Sequence, residues 1–422
     1  MTAVERTGVV LSGGGANGAF EVGVLKALTH GASPATGYRP IDPEIYTGTS
    51  VGAYNAAFMA AQPGRPATAV TEELETIWLD RIADTVWNCG NGVYRVRGLP
   101  FQFLDPGCLL RPLQTLVDFG LDSAGLAAVG LIKAAQFAAS PAPLQSRLLS
   151  LIELDAFVSE VPLRGLVAET IDLERLGRSD KRLTIAASNW EIGVVRLFSN
   201  REVAALGTDT ILASAALPGI FRPVRVEGDP YVDGGVLLNT PLLPAIREGA
   251  TTVHAIFLDP LVHNIPLKPF PSTLDTFYRM LAIIWASSMR KDILIAAGIT
   301  RVLELLERGE PENASDEEAR SFLRVGWQIY RRILEGKTYR KLNVHVYRPQ
   351  TALEEGEGLL DFQRSRMQRL VEMGYQEAVH HDCATAGCVL HGPPPLQEED
   401  LTKRFNPRRV IAGSPTRGGI YA

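Results

Sequence analysis

Hydrophobic and polar positions alternate along the chain in a repeating strand, turn, helix rhythm. Thr7 to Ser12 is a short apolar run that ends at glycines, the pattern of a buried parallel strand. Gly13-Gly-Gly-Ala-Asn-Gly18 follows. Phe20, Val24, Leu25 and Leu28 then recur at helical spacing, with Glu21 and Lys26 off the stripe. A second unit begins at Pro43–Thr47, turns at Gly48-Thr-Ser-Val-Gly52 and enters the small-residue run Ala53–Ala61. Further on, Leu183–Asn189 and Val194–Ser199 read as strands joined by a turn at Gly193. Thr252–Leu258 and Leu342–Tyr347 are two more short apolar strands. Val70–Asp84, Leu109–Phe119, Thr210–Ala216, Ser315–Leu334 and Leu360–Val379 carry helical spacing.

Two stretches are apolar on nearly every side. Ala124–Ala139 is broken only by Lys133 and Gln136, and Leu274–Ala297 by Arg290, Lys291 and Asp292. An all-round apolar helix predicts burial in a core, so the first is expected to be packed. The alternative for both is a cap that meets an acyl chain. No stretch reaches about 18 uninterrupted apolar residues, so no membrane span is expected. The pattern divides 422 residues into a core at 6–260 with a helical insertion at about 105–165, a mainly helical extension at 261–390 with a strand at about 342–347, and a poorly ordered tail at 391–422.

Composition narrows the function classes. Forty-two basic against 47 acidic residues leave a net charge of −5, which gives no electrostatic footprint for nucleic acid. Four cysteines in this length do not make a disulfide framework, and Cys89 and Cys108 are expected to be reduced. The opening residues lack a basic region followed by an apolar one, so the expected location is cytoplasmic, with contact at a membrane surface left open. His380, His381, Cys383, Cys388 and His391 crowd together, but their spacing is loose for zinc. A solvated helix end is the expectation there, and no metal or cofactor is expected.

The candidate chemistry lies in the turns. Gly48-x-Ser50-x-Gly52 between a strand and a helix is the pattern of a nucleophile elbow, with a plain turn and serine N-cap as the alternative. The glycines at 13, 15 and 18 match the dinucleotide fingerprint in form, with Asp42 or Glu44 downstream. They also suit an oxyanion hole, in which consecutive amides converge on one point. An elbow one unit later favours the oxyanion hole, because acyl transfer needs both parts. Asp233-Gly234-Gly235 is either an Asp-Gly turn or a carboxylate at a strand end, free to point into a site.

The order of these blocks resembles the patatin-like phospholipase family. Gly13–Gly18, Gly48-Thr-Ser-Val-Gly52, Ala213-Ser-Ala-Ala-Leu-Pro-Gly-Ile-Phe-Arg-Pro223 and Asp233-Gly-Gly235 with Asn239-Thr-Pro241 occur in family order. The resemblance implies a three-layer α/β sandwich with a mainly parallel central sheet flanked by helices. It implies a serine lipid acyl hydrolase with Ser50 as nucleophile and Asp233 as its partner, a dyad without histidine. The amides of Gly13, Gly14 and Gly15 would form the oxyanion hole, with Gly18, Gly48, Gly52, Gly234 and Gly235 supporting. The implied substrate is a lipid ester: a phospholipid, lysophospholipid or acylglycerol. A general carboxylesterase or thioesterase, and a non-catalytic acyl-chain-binding protein on the same fold, are the alternatives. Asn17 stands where the family usually has Arg or Lys.

Overall fold

A computed structural model describes residues 5–84, 90–96, 106–141 apart from 111, 143, 158–260, scattered residues from 264 to 300, and 341–390 apart from 352, 354 and 355. The strands of the main sheet are β1 (Thr7–Leu11), β2 (Ile45–Thr49), β3 (Arg182–Asn189), β4 (Val195–Ser199), β5 (Val224–Val226), β6 (Asp229–Asp233), β7 (Thr252–Ile256) and β8 (Asn343–Tyr347). The helices used below are α1 (Gly18–Thr29), α2 (Val51–Ala60), α3 (Ala67–Ile77), α4 (Pro112–Ala139), α5 (Asp209–Ser214), α6 (Leu242–Arg247), α7 (Arg364–Val379) and α8 (Cys383–Ala386).

Among the described residues these eight strands form one sheet in the order β8-β7-β1-β2-β3-β6-β5, with β4 paired to β3, and Arg95–Val96 pairs antiparallel with Val158–Ser159 in a separate two-stranded ribbon. The run from β8 to β3 is parallel, whereas β4, β5 and β6 pair antiparallel. Alternation along β1 shows the layering. Val9 and Leu11 pack into a core shared with α1, α2, α3 and α7, while Val10 faces the opposite core with Leu242 and Ala245 of α6. Burial on both faces explains why these strands read as continuous apolar runs rather than alternating ones. The fold is thus the expected α/β sandwich with a mainly parallel sheet.

Two expectations are corrected. The stretch 124–139 is not core. It belongs to α4, a single 28-residue helix that absorbs the shorter helix expected at 109–119, with Pro112 as its first residue. Leu113, Leu116, Val117, Leu121, Leu131 and Ile132 all face outward. A helix apolar on every side cannot be covered by a single neighbour, and this one leaves the body of the fold. Arg95 anchors its first half, bonding Asp118 and Asp122 at 2.5 and 3.1 Å. Thr115–Ala139 is also long and apolar enough to cross a membrane by length and composition, with a mean hydropathy of 1.5. Isolated charges such as Asp122 and Lys133 break the uninterrupted run that the sequence criterion required. The second correction is Cys108, which is disulfide-bonded. Counting cysteines cannot reveal which of them lie adjacent in space. Cys89 lies outside the described residues, as do the tail at 391–422 and the helix expected at 315–334.

The C-terminal α7 is built into the core. It crosses α1 where Gly23 and Gly374 face each other's backbones, and a Cβ on either glycine would overlap the opposing chain. Gly374→Ala should therefore lower stability by about 1–3 kcal/mol through overpacking. Gly130→Ala in α4 has open space around it, so that change should be neutral or slightly stabilising. Urea unfolding midpoints of the two variants check the contrast.

Candidate active site

Sheet register brings together two residues far apart in sequence. On β3, Ala186 pairs with Thr49, the last residue of β2. The next residue, Ala187, pairs with Asp233, the last residue of β6. Ser50 and Asp233 therefore leave the sheet at adjacent steps of one strand. The Ser50 side chain lies beside the Asp233 carboxylate, close enough to oppose the rise in its pKa, and both residues line one pocket.

Ser50 has φ 56° and ψ −126°, a strained conformation for a residue with a side chain. The turn closes because Gly48 and Gly52 carry no Cβ. A Cβ on Gly48 would overlap the Gly52 carbonyl, and one on Gly52 would overlap the Leu11 carbonyl at the end of β1. This is the geometry of a nucleophile elbow, with the serine at the entrance to α2. Ser50 is not a side-chain N-cap, since its side chain bonds no α2 amide.

The last residue of α5 and the segment that follows it clamp both residues. The Ser214 hydroxyl accepts from the Ser50 N–H at 2.9 Å and donates to the Ala186 carbonyl at 2.7 Å. The Asp233 N–H donates to the Ala216 carbonyl at 2.9 Å. The Gly235 N–H donates to Asp233 Oδ1 at 2.7 Å, so the aspartate caps a single 3-10 turn at Gly234–Val236 instead of turning a hairpin. Asp233 is only 3% exposed. Burial raises its pKa from 3.8 to about 6, against the Ser50 side chain and the Gly235 hydrogen bond, which lower it.

The glycine loop is more selective than its sequence suggests. The Gly13 N–H donates to the Asn239 carbonyl at 3.1 Å, and Asn239 Nδ2 donates to the Gly13 carbonyl at 3.2 Å. Gly13 is thereby removed from the expected set of oxyanion donors, because its amide is already spent on fixing the loop. Among the described residues, the amides of Gly14 and Gly15 are not engaged in this way. Both residues line the same pocket as Ser50. Gly15 has φ 56°, which tips the chain into α1. At Asn17 the missing family cation is replaced from elsewhere. Arg366 of α7, fully buried, donates to Asn17 Oδ1 at 2.7 Å and to the Leu353 carbonyl at 2.5 Å. Behind the loop, buried Glu21 accepts from Asn55 at 2.8 Å, and Asn55 accepts from Trp78 at 2.9 Å. Burial holds the Glu21 carboxyl well above its usual range.

Ser50 and Asp233 open into a pocket of about 840 Å³, including its mouth. Its walls are almost wholly apolar, with Tyr54, Trp78, Leu166, Phe221, Trp285 and Phe362 among them. No histidine is among the described residues that line it. The model of the patatin-like phospholipase family matches residues 9–246. The chain belongs to the patatin-like phospholipase family. Membership supports lipid acyl hydrolase activity in general terms. Among solved structures the chain is similar to VipD from Legionella pneumophila, with 16% identity and a TM-score of 0.32. That match covers 89% of this chain and 66% of VipD, just under two thirds of its length. No curated protein matches the chain.

Several residues of this patatin-like site escaped the sequence reading. Ser214 lies inside a recognised block, yet nothing in the block marks its hydroxyl as the partner of the Ser50 amide. Trp285 comes from the stretch expected to form a second cap. There, residues 279–285 are helical, Met280, Ile283 and Ile284 face outward, and Trp285 turns inward. Its indole N–H donates to the Gly235 carbonyl at 2.6 Å. Arg366 had no local signal, because its partner lies 349 positions away.

The raised Asp233 pKa has a stability consequence. An acid whose folded pKa is raised from 3.8 to about 6 leaves the fold fully stable below the unfolded value and weakens it as pH climbs through 6. Asp233→Asn should thus be more stable than the parent at pH 7–8, by up to about 3 kcal/mol at 1.36 kcal/mol per pKa unit. The difference should close below about pH 4. Melting temperatures of both proteins across pH measure it.

Proposed function

We propose that the protein hydrolyses carboxylic esters of phospholipids, lysophospholipids or acylglycerols through an acyl-serine intermediate, with Ser50 as nucleophile and Asp233 as its base. The observation that carries this reading is the register that sets Ser50 beside Asp233 at the head of an apolar pocket. Ser50 Oγ attacks the ester carbonyl carbon while its proton passes to Asp233. The carbonyl oxygen becomes an oxyanion facing the free amides of Gly14 and Gly15. The positive end of the α2 dipole also favours negative charge at this point. Collapse of the intermediate expels the alcohol, which takes the proton from Asp233. Water then attacks the acyl-serine, gives its proton to Asp233, and releases the fatty acid as that proton returns to Ser50. The apolar walls would hold the acyl chain, and its burial favours binding by roughly 0.8 kcal/mol per methylene.

Ser50→Ala and Asp233→Asn should each lower kcat/KM for a lipid ester by at least about 10³-fold, the order seen when a nucleophile or its base is removed. Both variants should keep the parent's circular dichroism spectrum. In the parent, activity should fall on the acid side of about pH 6, where Asp233 gains its proton. Turnover retained in either variant would refute the dyad.

The same reading includes contact with a lipid surface through α4, whose apolar side chains are exposed along its length. Replacing Leu116 and Leu131 together by Glu should reduce co-flotation with phosphatidylcholine vesicles. Hydrolysis of a short-chain, water-soluble ester should be unchanged. Equal vesicle binding by variant and parent would remove α4 from the interface.

A further inference from the structure

The outer edge of the sheet carries a second cluster of reactive side chains. Strand alternation puts His345 on the same face of β8 as Asn343 and Tyr347, directly beside His254 of β7, and the two imidazoles stack at 5.1 Å. The chain leaving α7 folds back over this edge. His381 follows the helix end, Cys383 opens α8, and Gly387 at φ 77° turns the chain so that Cys388 returns to the same point. Val344 and Val389 exchange backbone hydrogen bonds at 2.6 and 2.9 Å, which fixes the returning segment against β8.

The four ligand atoms of His345, His381, Cys383 and Cys388 lie within 4.8 Å of one another. Cys383 Sγ is 3.4 Å from His345 Nδ1 and 3.4 Å from His381 Nε2, and Cys388 Sγ is 3.3 Å from His381 Nε2. A tetrahedral zinc with bonds of about 2.3 Å to sulfur and about 2.0–2.1 Å to nitrogen sets sulfur–nitrogen edges of about 3.5 Å. The Val346 N–H donates to Cys388 Sγ at 3.2 Å, a bond that suits a thiolate. His381 is buried and its Nδ1 has no hydrogen-bond partner, so the two sulfurs are the ring's polar contacts among the described residues.

We propose that His345, His381, Cys383 and Cys388 form a structural zinc site. It replaces the expectation of no metal and of a solvated helix end at 380–391. His380 is not part of it, since its Nδ1 bonds the Gln376 carbonyl, and His391 lies outside the described residues. The ligand that completes the set, His345, comes from a strand 36 positions before His381, so spacing within the C-terminal stretch could not reveal it. Four protein ligands close the coordination sphere, which marks a structural site rather than a hydrolytic one. Two sulfurs and two nitrogens in this arrangement select zinc over magnesium or calcium, which take oxygen ligands. The site lies three strands away from β2 and Ser50. Its effect there is mechanical: it pins the end of α7, the helix whose Arg366 holds the glycine loop.

The test is elemental analysis of the full chain, produced without a histidine tag and purified without chelator. About one zinc per chain is expected, falling at least tenfold in the Cys383→Ser, Cys388→Ser double variant. To keep the test independent of that variant's folding, the parent is also exchanged with cobalt. A tetrahedral spectrum with sulfur-to-cobalt charge transfer supports the site. A folded chain that neither contains zinc nor takes it up would overturn the proposal. So would metal retained by the double variant, an octahedral cobalt spectrum, or a Cys383–Cys388 disulfide in folded, metal-free protein.

Discussion

Everything at the site depends on a short stretch of chain that grips two backbones at once. The Ser214 hydroxyl holds the Ser50 amide, and two residues later the Ala216 carbonyl holds the Asp233 amide. The elbow is strained at Ser50, and a strained turn persists only where its surroundings over-determine it. Here Ser214 also bonds the Ala186 carbonyl, on the strand whose register sets Ser50 beside Asp233. One hydroxyl thus links the turn, the sheet and the spacing of Ser50 and Asp233. A movement of this segment would disturb both side chains together.

The C-terminal third supports the same point from the other side. The glycine loop offers amides only if it is held open, and its fixed end is the reciprocal pair between Gly13 and Asn239. Its far end is held by Arg366 through Asn17. Burying a guanidinium is costly unless its donors are satisfied. The Asn17, Leu353 and Asp361 oxygens supply acceptors. The family pattern places a cation within the loop itself, whereas this chain brings one in from α7. Trp285 acts in a similar way on the aspartate, tying the Gly235 carbonyl while closing a wall of the pocket. Residues well beyond the family-matched segment at 9–246 therefore shape the site.

The fold class was legible because buried parallel strands leave short apolar runs, and because glycine turns mark where those runs end. The elbow was legible for a related reason: its flanking positions tolerate no Cβ, which restricts them to glycine. What remained hidden depends on side chains meeting across the fold. Gly13 reads like Gly14 until the Asn239 carbonyl is seen to occupy its amide. Nothing near Arg366 points to Asn17, and nothing near Cys383 points to His345. Helix α4 was misread because an apolar composition reports what a helix prefers to touch, not whether the fold supplies a neighbour to touch it.

The chemistry open to this site follows from the balance at Asp233. In water a carboxylate is too weak a base to take a serine proton usefully, with a reference pKa of about 3.9. Burial strengthens it by making the charged form costly, yet the same burial would leave it protonated and useless if nothing opposed it. The Gly235 amide and the Ser50 hydroxyl supply that opposition, and the result is a carboxylate near 6, still ionised at neutral pH. Such a base remains weaker than the strongest that burial alone could produce. The reaction proposed for this pair must therefore begin from a carbonyl that is already electrophilic and end on a leaving group that departs without much help. Esters meet both conditions better than amides do, and an apolar pocket beside the serine favours those esters whose acyl part is a hydrocarbon chain.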